Sequence, residues 1–123
     1  MEIQRVQLEK ACFDLTVTDA ALDGSSFENV SMQNVRITDA NLSDLHIEGA
    51  QLGGAHFENI GLPPEDHPGY QAGFRQRPIQ FGNSDLNGST FASCDLSNVE
   101  INGCNISGLK INGVLIEDLL QNR

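Results

Sequence analysis

The sequence predicts an all-β solenoid, and three observations predict it. A bulky apolar residue returns at every fifth position from Val17 through Leu22, Phe27, Met32, Ile37, Leu42, Ile47, Leu52 and Phe57 to Leu62. Two residues before each of these central positions stands a second residue, mostly apolar or small, as in Leu15, Ala20, Val30, Ala40, Ala50 and Ile60. Two residues after stands Gly, Asn or Asp, from Asp19 and Gly24 to Gly54 and Asn59. A helix needs apolar spacings of three and four, and a simple strand needs strict alternation, so neither template fits. A unit that reads apolar, polar, apolar, polar and then a turn-tolerant residue is a very short strand followed by a corner. Repeated in one sense, such units wind into a solenoid.

The segments follow in order. Residues 1–16 keep the rhythm loosely, with Ile3, Leu8 and Phe13 five apart, but Arg5 and Lys10 occupy the corner positions and the step from Phe13 to Val17 is four. This predicts an irregular first coil acting as a cap, which an open solenoid end requires. Residues 17–62 are regular repeats. Residues 63–78 contain all four prolines and the only tyrosine, which predicts a loop. The register resumes over 79–116, centred on Phe81, Leu86, Phe91, Leu96, Ile101, Ile106, Ile111 and Ile116, with Ser93 alone breaking the corner rule. Residues 117–123, with Leu119 and Leu120 in a helix-compatible tail, predict a short closing turn, which the outward apolar Leu115 also suits. The whole chain, 1–123, is expected to be one domain, since its length would not bury two ordinary cores.

Thr-Asp-Ala-Asn-Leu-Ser-Asp at 38–44 and Ser-Cys-Asp-Leu-Ser-Asn at 93–98 resemble the units of the pentapeptide-repeat proteins. The resemblance covers most of the chain outside the loop. It implies a right-handed quadrilateral β-helix with four units per coil, a number the period alone does not give. About 21 units then make about five coils, on the order of 25 Å at the spacing of neighbouring strands. If the loop is an excursion between two neighbouring faces, Phe81 takes the place due after Leu62, and Phe57 and Phe91 fall in one interior column.

The net charge of -10 and pI of about 4.4 argue against direct nucleic-acid binding, whose affinity comes largely from Lys and Arg. An acidic surface also keeps a protein soluble. No apolar run is long enough to cross a bilayer, and the N-terminal Met-Glu-Ile-Gln-Arg lacks a basic and then an apolar region, so a cytoplasmic protein without membrane contact is expected. Cys12, Cys94 and Cys104 are an odd set without CxxC spacing, which predicts neither a disulfide framework nor a zinc site.

Catalysis is not expected, because no nucleophile, base or metal-ligand set converges. His46 and His56 are ten residues apart, hence two faces apart, and are expected at the surface without a shared metal. Cys94 and Cys104 are expected as small buried thiols filling interior niches. No cofactor is predicted. The column arrangement lines up Asp23, Asp44, Asp95 and Glu117 as an acidic ridge. Some proteins of the family mimic DNA and bind type II topoisomerases, so the resemblance permits, as the alternative reading, a DNA-mimicking regulator that binds a type II topoisomerase or another DNA-binding protein. The favoured reading is a non-enzymatic protein-protein interaction or scaffold module. The candidate partner-binding residues are His67, Tyr70, Phe74, Arg75 and Arg77 in the loop, because aromatic and Arg side chains dominate binding hot spots. The competing arrangement folds Tyr70 and Phe74 over the flank and pairs Arg75 and Arg77 with the acidic ridge.

Overall fold

The computed structural model describes residues 2–121 and divides the chain into two units, Met1–Ala55 and His56–Arg123. In the first unit, every expected corner from Asp19 to Gly54 lies in the left-handed region, with φ between 52° and 79°. Lys10, at a corner position of the irregular first segment, joins them at φ 55°. Gly reaches this region without a Cβ penalty, and Asn and Asp reach it at small cost, which is why those three types recur there.

The corners are of two kinds, and they alternate. At Gly24, Asp44 and Gly54 the chain makes a hydrogen-bonded turn, in which Ser25, Leu45 and Ala55 N–H donate to the carbonyls of Leu22, Leu42 and Leu52 at 3.0, 3.2 and 2.9 Å. A left-handed third residue gives these turns type II character. At Asp19, Asn29, Asp39 and Gly49 the chain bends instead, between one turn and the next.

The second unit repeats the scheme. Asn83, Gly88, Ser93, Asn98, Gly103 and Gly108 are all left-handed, and turns close from Ser89 to Leu86, Val99 to Leu96 and Leu109 to Ile106 at 3.0–3.1 Å. Asn83, Ser93 and Gly103 are the bends. The central residue tracks the corner that follows it. Bends follow Val, Ile or Phe, and turns follow Leu, with Met32 and Ile106 the exceptions. β-Branched and aromatic residues favour extended backbone, whereas Leu enters a turn more readily.

Side chains support both kinds of corner. Before the turns, Asn41, Asp85, Asp95 and Asn105 each accept a hydrogen bond from the backbone N–H two residues on, at 2.9–3.1 Å. After the bends, Ser84 Oγ donates to the Gly82 carbonyl at 2.8 Å, and Cys94 and Cys104 Sγ donate to the carbonyls of Ala92 and Asn102 at 3.3 and 3.4 Å. This corrects the expectation of buried thiols: all three cysteines are exposed. The carbonyl before a bend has no turn N–H to meet, so the first small polar side chain beyond the corner meets it.

The C-terminal end departs from the repeat. Strands β1 (Lys110–Ile111) and β2 (Val114–Leu115) pair antiparallel, with Lys110 opposite Leu115 and Ile111 opposite Val114. Asn112 and Gly113, at φ 50° and 79°, form the type I′ turn that an Asn-Gly pair favours in a two-residue hairpin. Helix α1 (Ile116–Gln121) follows directly, so Ile116 opens the cap and does not centre a further repeat unit. Ile116 N–H donates to the Leu109 carbonyl at 3.0 Å, and Glu117 Oε1 accepts the Gly108 N–H at 3.3 Å. Glu117 is thereby turned back onto the chain and does not belong to an outward acidic ridge.

The cap is also where packing concentrates. No described residue is fully buried; Ile106, Leu109, Leu115, Ile116, Glu117 and Pro63 are half-buried, and the others are exposed. An open apolar recess of about 240 Å³ lies among Ile101, Ile106, Leu109, Ile111, Ile116 and Leu120. Elsewhere the apolar stripe is laid out but uncovered. Phe57 and Phe91 remain 64% and 63% exposed, so the expected interior column is not enclosed. The physical reason is local. Apart from the hairpin, the helix and the Ile116–Leu109 bond, the backbone hydrogen bonds among the described residues span three residues, and strand segments are not paired with one another.

Candidate interaction site

Residues 63–78 form a run of tight turns inside the second unit. His67 N–H donates to the Pro64 carbonyl at 2.9 Å, closing the first turn. Tyr70 N–H donates to the His67 carbonyl at 3.0 Å, closing the second, where Pro68 supplies a fixed φ at its second position. Phe74 N–H donates to the Gln71 carbonyl at 3.3 Å, closing the third, with Gly73 left-handed at φ 83°. Prolines and glycines thus set each reversal, and the expected loop is an ordered one.

The structure strings three of the five candidate residues along these turns. His67 belongs to two of them, and its ring Nδ1 also accepts the Gly69 N–H at 2.8 Å. Tyr70 is 38% exposed and Phe74 66% exposed, so Phe74 stands out to solvent while more of Tyr70 is covered. Arg75 and Arg77 lie beyond the third turn in chain without regular structure, and Arg77 already has an interaction within the chain. The half-buried Pro63 anchors the entry to the loop.

Other reactive groups do not converge. His46 Nε2 lies 3.8 Å from Glu48, and His56 Nδ1 lies 3.4 Å from Glu58, each pair flanking an apolar central residue. All four side chains are highly exposed, and such surface pairs contribute little. Among the described residues no group of three or more His, Cys, Asp or Glu side chains is placed to hold a metal ion. Asp95 is the carboxylate with a distinct electrostatic setting. Hydrogen bonds from the Ser97 side chain, and then from its backbone N–H, hold its pKa below the ordinary aspartate value.

Two features escaped the sequence reading. The alternation of corners has a period of ten, and its signal is the alternation of Leu with Phe, Ile or Val at central positions. The hairpin signal is Asn112-Gly113, which the five-residue register had absorbed as an ordinary corner.

A five-residue unit closed by a left-handed Gly, Asn or Asp, recurring through both units, defines the chain as a repeat protein of the solenoid class. A family model of pentapeptide repeats matches eight copies over residues 20–59 and 79–115, and the chain belongs to that family. Comparison with curated proteins and with solved structures yields no match. Pentapeptide repeats generally fold as a right-handed β-helix, and proteins built from them are generally non-enzymatic structural or interaction modules. No helix among the described residues is long and apolar enough to cross a membrane.

Proposed function

We propose that the protein is a non-enzymatic, cytoplasmic interaction or scaffold module whose repeats form a rigid body and whose loop at 63–78 engages a protein partner. One observation carries this reading. The loop is the one long interruption of the repeat, and it carries Tyr70 and Phe74 on a chain ordered by three consecutive turns. An aromatic side chain on a preorganised loop loses little freedom on binding. Tyr70, Arg75 and Arg77 extend the contact, with His67 supporting the loop from within. The acidic balance of the chain directs this module toward a protein and away from direct nucleic-acid or membrane binding.

The rigid body in this proposal is a single quadrilateral β-helix of about five coils. The alternation of corners supports it, because four units per coil place turn above turn and bend above bend. Alternation also continues across the loop: Leu62 is of the turn-forming type, and Phe81, the next central residue, precedes a bend. An insertion between neighbouring faces preserves this phase, whereas a linker between unrelated solenoids leaves it free. Stacking would cover the apolar stripe and supply the missing strand partners.

The double substitution Tyr70→Ala/Phe74→Ala tests the loop reading. In affinity capture it is expected to lose the partner that intact protein retains, at an unchanged melting temperature. Retention of the same partner at undiminished yield places the interface elsewhere.

A further inference from the structure

We propose that His67 is a pH-sensitive latch that holds the loop's second turn closed while its imidazole is neutral and releases it on protonation. The inference rests on one shared geometry. His67 uses its backbone N–H in the first turn, its carbonyl in the second, and its ring Nδ1 to accept the Gly69 N–H at 2.8 Å. Accepting through Nδ1 requires a lone pair there, so the proton of the neutral ring sits on Nε2. A proton taken up from solvent occupies that lone pair and sets two N–H donors against each other. The latch therefore exists with the neutral ring and is lost with the protonated one.

Gly69 is shaped for this contact. A Cβ there would stand 3.2 Å from His67 Nδ1, 3.3 Å from Cε1 and 3.8 Å from Pro63 Cγ, so only glycine lets the ring approach the backbone N–H without displacement. The group bonded to the ring is the Gly69 backbone N–H, and it does not titrate. The charged residues on the same loop are Glu65, Asp66, Arg75 and Arg77. Glu65 and Asp66 adjoin His67 in sequence and offer carboxylates toward which a protonated ring can turn.

This chain also shows how to remove the titration while keeping the bond. Asn41 and Asn105 make the same contact, side-chain acceptor to the N–H two residues on, through an amide that does not titrate. His67→Asn is therefore a non-titrating latch. The latch would regulate the loop proposed above as a partner site, but its test needs no partner, so the two can fail separately.

The experiment is an NMR titration of the full ¹⁵N-labelled chain. Expected are an unprotonated Nδ1 in the neutral ring, a Gly69 amide resonance that moves with the imidazole midpoint, and no such movement in His67→Asn. Below the midpoint, Gly69 amide exchange should be about fivefold faster than in His67→Asn at the same pH, the loss of one ordinary hydrogen bond. A proton on Nδ1 in the neutral ring, a Gly69 amide that ignores the imidazole titration, or the same titration in His67→Asn would each overturn the proposal.

Discussion

At the scale of single residues, the left-handed corners decide most of what the chain can do. Gly88 sits at φ 78° with nothing within 4 Å of an added Cβ, so alanine there meets no neighbour and costs only backbone strain. Gly88→Ala should lower stability by about 1 kcal/mol in urea unfolding. Ser93, at φ 57°, is a corner filled by a residue that pays that strain, and Ser93→Gly should recover a similar amount, about 1 kcal/mol. The opposite signs of two changes at neighbouring corners separate conformational strain from lost contacts. Asp95 gives the pH prediction. Its pKa is depressed in the folded chain by the Ser97 side chain and backbone, so its contribution is present above the ordinary aspartate value and lost as pH falls through the depressed one. Ser97→Ala, which removes the larger cause, should move the Asp95 carboxyl titration back toward the ordinary value in a carbon-detected NMR titration.

At the scale of elements, the C-terminal cap is the best-packed part of the described chain. Leu109 and Ile116 join it by a backbone bond and share one apolar recess beneath α1. Ile116→Ala should cost about 1–2 kcal/mol, less than a fully buried isoleucine because the site is only half-buried. Amide exchange should rise first across 106–116, leaving the turns at Gly24 and Asp44 unaffected. The elements also show what was legible beforehand. Corner positions could be read because only Gly, Asn and Asp populate left-handed backbone cheaply, and even Ser93 and Lys10 obey the register that they break in composition. The hairpin was hidden because Asn112-Gly113 satisfies the five-residue rule and the type I′ rule at once. Thiol placement was misread because an inward position in a unit was equated with burial, while burial depends on pairing between coils that the described conformation does not contain. The loop's turns were legible in outline from Pro68 and Gly73. The His67–Gly69 bond was not, because it depends on a ring orientation that composition does not fix.

At the scale of the whole molecule, the proposed division of labour assigns shape to the repeats and recognition to the interruption. The repeat explains its own residues as turning, capping and an apolar stripe awaiting cover, and among the described residues no group of three or more His, Cys, Asp or Glu is placed to hold a metal ion. Residues 63–78 are surplus to that scheme. Replacing them by two residues, the second a glycine, sets Phe81 five positions after Leu62 and restores an unbroken register. The decisive measurement is partner capture by this register-matched variant, run beside its thermal melt. Retained cooperative melting with loss of the partner is the predicted result; capture of the same partner at full yield by the loop-less chain would contradict it.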